Sequence, residues 1–275
     1  MALVAGLSFP GMAAAAGIDL AIGFERQEGE FHSDDTRRLD QVYLQFELGG
    51  SGSRFLMRLP YWRIDRIGNV TATPDGPILV GAGGPGRPPW QESEAGEKEA
   101  GLGDLYLRTE TLLMQAGKGK RPALILVSDL KWPTADESRG LGTGEYDWGI
   151  GIDYIQPMSK AAQFLGSAAY RFMGSPEDAD FENRLRFLIG FAFVTSRTTW
   201  RIVGESLSPV LDQVPLFDAT GTAIALQDVE DSRIARGEMA IRSSAGGSVR
   251  FYVLTGLNDS SPDLGFGLVF ASRPQ

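Results

Sequence analysis

The segment RLRFLIGFAFVTSRTTWRIVGESL, residues 184–207, contains two stretches of alternating polarity joined by a short polar link. In the first stretch every second position is apolar: Leu185, Phe187, Ile189, Phe191 and Phe193. The intervening positions begin with Arg184 and Arg186. Because successive side chains of a β-strand point to opposite faces, this period of two predicts a strand with one apolar face and one polar face.

The same period of two recurs along the chain from residue 17 onward. It is clear in five more stretches, at 18–25, 41–48, 54–61, 146–154 and 264–270. It is weaker in six others: 104–114, 122–132, 162–173, 199–207, 233–242 and 248–256. No stretch longer than a turn or two has the period of an amphipathic helix, so the chain is predicted to be all-β with twelve strands.

The links between these strands alternate in length. Long polar links follow the odd-numbered strands, at 28–39, 67–100, 133–144, 174–181, 208–232 and 257–262. Short links follow the even-numbered strands, at 49–53, 115–120, 156–160, 194–197 and 243–247. Outer-membrane barrels have short periplasmic turns and long external loops, whereas a soluble β-sandwich has no reason to alternate in this way. The pattern favours a 12-stranded antiparallel up-and-down transmembrane β-barrel over a sandwich, formed by a single domain over 17–275.

The two faces of the predicted strands fit a membrane barrel. Aromatic residues lie near strand ends on the apolar face, as in the girdles of such barrels: Tyr61, Tyr146, Tyr154, Tyr170 and Trp200. The other face predicts a charged lumen, lined by Arg54, Arg58, Asp104, Arg108, Asp147, Asp153, Arg184, Arg186, Arg201 and Glu205. Its positive and negative charges nearly balance, which argues against a strongly charge-selective pore. These charges would either line a water-filled passage or pair across the interior and close it.

Composition excludes several classes of function. The chain has no Cys, and His32 is its single histidine, so we predict no metal site and no cofactor. A formal net charge of −9 argues against a nucleic-acid partner. No run of 18 apolar residues is present, which argues against a membrane-spanning helix.

Residues 1–16 have features of a secretory signal peptide. An apolar stretch at 3–9 is followed by small residues at Ala14 and Ala16, which suit a signal-peptidase site before Gly17. The alternative is an apolar or frayed start of the first strand. Export would place the chain in the bacterial outer membrane, with its lipids and the barrel assembly machinery as partners.

Three motifs lie in the middle of the chain: Gly101-Leu102-Gly103-Asp104, Pro133-Thr134-Ala135-Asp136 and Gly140-Leu141-Gly142-Thr143-Gly144. Over about 75 residues the chain resembles the MetA-pathway phenol-degradation proteins, although Ala135-Asp136 stands where that family has Gly-Asp. The family consists of outer-membrane barrels described as transporters. The resemblance implies a role in the uptake of small hydrophobic or aromatic compounds.

The long loop at 133–144 is a candidate constriction. Pro133 and Thr134 give it a rigid start, and Gly140, Gly142 and Gly144 give it flexibility before the next strand. The loop either folds inward and narrows the barrel or remains an ordinary surface loop.

The sequence FHSDD at 31–35 is a candidate catalytic site, because it places His32 beside a serine and two aspartates. Partners in a catalytic triad must converge in space, and adjacent loop residues seldom do so. A solvated loop histidine is the better interpretation, and an outer-membrane lipid hydrolase using His32 is the weakest hypothesis. Acidic loop residues at 178–180 and 228–231 lack EF-hand spacing and predict a solvated surface.

The sequence therefore predicts a non-enzymatic outer-membrane channel or transporter for the passive passage of a small-molecule permeant. The alternative from another class is a closed barrel whose long loops, at 28–39, 67–100, 133–144 and 208–232, bind a partner or serve a structural role.

Overall fold

The computed structural model describes residues 17–29, 37–50, 52–65, 70–73, 76–79, 98–117, 121–175, 181–209, 213–217, 223–228, 230–244 and 246–272. The predicted signal peptide at 1–16 and His32 lie outside these residues. The first eight strands are β1 (Gly17–Gly29), β2 (Arg37–Gly49), β3 (Ser53–Asp65), β4 (Val70–Thr73), β5 (Gly76–Leu79), β6 (Lys98–Leu102), β7 (Leu105–Met114) and β8 (Ala123–Trp132). The others are β9 (Asp147–Pro157), β10 (Ala162–Phe172), β11 (Arg184–Val194), β12 (Thr198–Leu207), β13 (Gln213–Phe217), β14 (Ala223–Asp228), β15 (Ser232–Arg242), β16 (Ser248–Gly256) and β17 (Leu264–Ala271).

The main sheet closes on itself. Strand β1 pairs antiparallel with β2 on one side and with the last strand, β17, on the other, so that Gly23 lies opposite both Tyr43 and Val269. Every neighbouring pair around the sheet is antiparallel, and twelve strand positions complete the circle. The prediction of a 12-stranded antiparallel barrel is confirmed.

One of the twelve positions is shared by two strands, β6 and β7, which both pair with β3. The pairing of β3 is Tyr61 with Leu102 in β6 but Arg58 with Tyr106 in β7, so the register shifts by one residue between them. Pro60 lies at the shift and accepts a hydrogen bond from the Gly103 amide at 2.9 Å. Because proline has no N–H to return, the ladder is interrupted here, and a bulge is where a sheet tolerates this residue.

Two of the long links contain hairpins. Strands β4 and β5 pair within the link at 67–100, and β13 and β14 pair within the link at 208–232. The sequence analysis assigned no strands to the link at 67–100, whereas the structure has two there, at 70–73 and 76–79. The sequence signal was present, since the β-branched Val70, Thr71 and Thr73 precede a Pro-Asp-Gly turn sequence.

The outer face of the barrel is apolar and exposed. Side chains near the middle of the strands point outward, among them Ile22, Leu44, Ile150, Ile189, Ile202 and Phe251. Aromatic pairs lie at the strand ends next to the long links, where Trp148 stacks on Phe172 with ring centroids 3.9 Å apart and Trp132 meets Tyr146 edge-on at 5.3 Å. A closed sheet with an apolar band and aromatic ends is the structure that a lipid bilayer requires of a β-protein. The chain is an outer-membrane β-barrel.

The described residues contain very little helix. A single turn of 3₁₀ helix, Glu137–Arg139, lies in the link between β8 and β9. Within the described ranges no helix is long and apolar enough to cross a membrane.

The outer face provides a direct test of the membrane placement. We predict that Ile202→Arg, at a side chain 64% exposed in the middle of β12, lowers the free energy of unfolding in lipid vesicles by about 2–4 kcal/mol, because an arginine there must leave water for hydrocarbon. Leu257→Arg is the matched control: Leu257 is 62% exposed but lies in the link after β16, where the cost is at most about 1 kcal/mol. Equal losses in the two variants, measured by denaturant unfolding, would contradict the placement.

Candidate functional site

All ten residues predicted to line the lumen point into the barrel interior and are buried or half-buried: Arg54, Arg58, Asp104, Arg108, Asp147, Asp153, Arg184, Arg186, Arg201 and Glu205. Their strands place them there because the interior positions alternate with the outward apolar ones. On β3, for example, Leu56 and Arg58 are buried while Met57 is exposed. Whether a permeant passes along these residues stays a prediction.

A chain of ion pairs runs along the inner wall from β2 to β9. Arg54 binds Glu110 at 2.6 Å and Glu47 at 3.4 Å. Arg108 binds the same Glu110 at 3.0 Å and Asp153 at 3.3 Å. Glu110 is therefore shared by two guanidinium groups, which offsets much of the cost of removing these charges from water.

Further ion pairs continue around the wall. Arg171 binds Asp129 at 2.8 Å, Arg186 binds Glu205 at 2.5 Å, and Arg201 binds Glu238 at 2.8 Å. Arg58 is held differently, because its guanidinium donates to Gln45 at 2.6 Å and lies 4.0 Å from the centre of the Tyr43 ring. The lumen charges thus pair with one another along the wall; whether they line a passage or close it stays a prediction.

The space left between these side chains is small. A cavity of about 20 Å³ lies among residues that include Arg108, Asp153, Arg171, Arg184 and Arg186. A cavity of this size holds about one water molecule.

A second polar centre lies near the ends of the strands that carry the long links. Lys131 on β8 is fully buried and binds Asp147 at 2.9 Å and Asp104 at 3.6 Å. It also donates a hydrogen bond to Thr143 in the link between β8 and β9. One cation thus joins the bulge between β6 and β7, the start of β9, and a residue of the loop predicted to be a constriction.

Asp104 fixes the start of that loop. Its carboxylate accepts hydrogen bonds from the backbone amides of Thr134 at 3.1 Å and Ala135 at 3.0 Å. Pro133 directly follows β8. A Cβ at Gly142 would lie 2.6 Å from the Asp104 carboxylate, so only glycine allows this close approach. The three motifs behind the family resemblance therefore meet at one point of the structure.

The remainder of the loop lies against the inner wall. Leu141 is buried against Leu39, Trp62 and Ile64, which face inward from β2 and β3. On either side of this contact are Gly140 and Gly144, with φ values of 63° and 74°. That the loop narrows a passage stays a prediction.

The sequence analysis missed a large apolar part of the interior. We call it the apolar wall, a cluster of inward-facing buried residues on β8 to β12: Ala123, Ile125, Val127, Ile155, Leu165, Leu188, Ala192 and Val203. The available signal was the weak alternation of 122–132, 162–173 and 199–207. Alternation is weak in a strand whose two faces are both partly apolar, and this is the situation in β8, β10 and β12.

The sequence analysis also considered catalysis at the FHSDD sequence and cation binding by acidic loop residues. In the described part of the chain, no three His, Asp or Glu side chains are grouped to hold a metal ion. The FHSDD sequence at 31–35 lies entirely outside the described residues, as do the acidic residues at 178–180.

The fold is similar to those of outer-membrane proteins of known structure. An outer membrane channel from Pseudomonas putida F1 has 13% sequence identity and a TM-score of 0.66, over 97% of this chain and 100% of that chain. The NanC porin has 8% identity and a TM-score of 0.54, over 94% of this chain and 100% of that chain. At such identities the likeness establishes the fold alone. No protein-family model and no curated protein matches the sequence, so the MetA-pathway resemblance stays a prediction.

The Lys131 centre yields a stability test. We predict that Lys131→Met lowers the free energy of unfolding by about 3–5 kcal/mol, because Asp104 and Asp147 lose their shared buried cation. Lys98→Met is the matched control, since Lys98 pairs with Asp65 at 3.6 Å but is 61% exposed, and its loss should cost no more than about 1 kcal/mol. Denaturant unfolding of the refolded barrels measures both. A Lys131 variant as stable as the Lys98 variant would show that the centre does not hold the loop and strands together.

Proposed function

We propose that the chain is an outer-membrane channel through which small hydrophobic or aromatic molecules pass passively. The observation that carries this proposal is the apolar wall. Barrels that pass hydrophilic solutes have polar, water-filled interiors, whereas here a cluster of buried apolar side chains covers part of the inner face. These side chains are packed against their neighbours, so a permeant reaches them by displacing adjacent side chains; it then gains about 25 cal/mol per Å² of apolar area that it buries.

The ion pairs support the same preference. An inorganic ion that crosses the interior must compete with the contacts of Arg108, Arg171 and Arg186 to their own carboxylates. These charge-assisted hydrogen bonds are among the stronger polar contacts in proteins. A neutral aromatic molecule does not have to break them to lie on the apolar wall.

Two likenesses agree with a channel function. The structures with the same fold are named an outer membrane channel and a porin, and the sequence motifs resemble those of a family of outer-membrane transporters. In this proposal the partners of the chain are the membrane lipids, the permeant and, during biogenesis, the barrel assembly machinery. The loop that includes Pro133, Thr134, Gly140, Gly142 and Gly144 acts as the constriction, because Leu141 and Thr143 lie against the inner wall.

A closed barrel with a structural or partner-binding role is the second candidate. The paired lumen charges favour it, because they bind one another instead of water or a permeant. The two candidates differ in whether an apolar molecule crosses the membrane faster when the protein is present.

Uptake by cells separates them. We predict that cells expressing the chain take up toluene faster than cells with an empty vector, while glucose uptake is unchanged. Leu188→Asn, which places an amide on the apolar wall, should reduce the gain in toluene uptake by about tenfold, the equivalent of 1.4 kcal/mol. Leu185→Asn is the matched control on the outer face of the same strand, where Leu185 is 44% exposed, and should retain the gain.

Folding of each variant is checked by heat-modifiable migration on a gel. If Leu188→Asn does not fold, Ala192→Ser makes a smaller polar change at the same wall. Toluene uptake no faster than in the vector control, from a correctly folded barrel, would refute the proposal and favour the closed barrel.

A further inference from the structure

Three arginines lie side by side on the inner face of β10 and β11. Arg171 and Arg184 are directly opposite each other in the pairing of these strands, and Arg186 is the next inward residue on β11. Like charges directly opposite one another on neighbouring strands destabilise a sheet. The three arginines are therefore stable side by side only if nearby anions neutralise their charge.

Two of the three arginines have such an anion. Arg171 reaches past β9 to Asp129 on β8 at 2.8 Å. A Cβ at the intervening Gly149 would lie 2.7 Å from the Asp129 carboxylate, so glycine makes room for this pair. Arg186 binds Glu205 at 2.5 Å.

No described carboxylate lies within ion-pair distance of Arg184, and Glu205 and Asp147 attract its guanidinium only from farther away. Its side chain is 6% exposed, and its guanidinium donates a hydrogen bond to the neutral carbonyl oxygen of Ser208 at 2.9 Å. A buried arginine without a carboxylate in direct contact is costly, because more distant anions compensate only part of the hydration that its guanidinium has lost. A planar guanidinium is also the group best suited to bind a carboxylate through two parallel hydrogen bonds.

The surroundings of Arg184 define the remainder of a ligand. The cavity of about 20 Å³ is lined by Arg171, Arg184 and Arg186 and also by Val127, a member of the apolar wall. Along β11 the inward residues change from Arg184 and Arg186 to Leu188. Since two residues of a strand span about 7 Å, a cationic surface and an apolar surface lie within the length of one small molecule.

From this juxtaposition we infer that the interior binds a small monocarboxylate with an apolar body, with its carboxylate on Arg184 and its body on the apolar wall. The inference rests on the proposed function and names the preferred class of permeant. Because the cavity has the volume of about one water molecule, a carboxylate enters by displacing the long arginine side chains. Acetate lacks the apolar body and benzamide lacks the charge, so each uses only half of the site.

The test is equilibrium dialysis of labelled benzoate, benzamide and acetate against the refolded barrel in detergent micelles, with empty micelles subtracted. Benzoate should bind saturably, and benzamide and acetate should bind at least about tenfold more weakly. Arg184→Gln should lower benzoate affinity to the level of benzamide without changing benzamide binding. Arg250→Gln is the matched control, because Arg250 lies on β16, three strands from β11, and pairs with Glu238 at 3.6 Å; it should bind benzoate like the unmodified protein.

Some results would overturn the inference. Equal binding of benzoate and benzamide by the unmodified protein, or unchanged benzoate binding by a folded Arg184→Gln variant, would exclude Arg184 as a carboxylate site. If Arg184→Gln does not fold, Arg184→Lys keeps the charge but loses the planar fork, and full benzoate affinity in that variant would also contradict the inference. Toluene uptake is judged separately: faster uptake with equal benzoate and benzamide binding leaves the channel proposal intact and removes only the preference for a carboxylate.

Discussion

The pairing of β1 with β17 is the interaction on which the rest of the structure depends. Inside a bilayer, each backbone N–H or C=O without a partner costs several kcal/mol, so a sheet can span the membrane only if its first and last strands join. Here Phe24 pairs with Leu268, and the amide of Ser272 extends the contact by donating to the Leu20 carbonyl at 2.8 Å. Once the sheet is closed, every strand has one face toward lipid and one toward the interior.

Closure also determines how charge can be placed. The twelve strand positions enclose a narrow interior, in which arginines reach carboxylates on other strands. Arg108 on β7 binds Asp153 on β9, and Arg171 on β10 binds Asp129 on β8, so these contacts bridge across the intervening strand. The interior is thus divided into a part filled by ion pairs and a part formed by the apolar wall. The proposed preference for apolar molecules rests on this division, since one part is occupied by its own charges and the other consists of buried apolar side chains.

The strands and their two faces could be predicted because the period of two is a local property of the sequence. Alternation of Leu185 with Arg186 is sufficient to assign the sides of β11, and long and short links are sufficient to recognise a membrane barrel. The bulge opposite Pro60 could also have been predicted, since a proline inside a central strand requires one. The apolar wall was missed because inward apolar residues such as Val127 on β8 and Val203 on β12 weaken the alternation of their strands, while Leu188 follows two arginines on the inward face of β11.

Contacts between distant residues were beyond prediction. That Lys131 meets both Asp104 and Asp147 depends on the register of three strands and on the path of the loop, which no local pattern specifies. The apolar Leu141 within a polar loop was a signal that the loop packs against something, but the partners Trp62 and Ile64 become known only once β3 is placed. In the same way, the absence of a described carboxylate in ion-pair contact with Arg184 becomes visible only when β10, β11 and β12 are assembled.

Single-channel conductance in a planar bilayer most directly tests the central claim that this interior favours apolar molecules over ions. The refolded, heat-modifiable barrel should give steps far smaller than those of a 16-stranded porin in the same bilayer and salt, because arginine–carboxylate pairs occupy its charged part. Steady steps as large as those of the porin would show a wide water-filled passage and would contradict the claim.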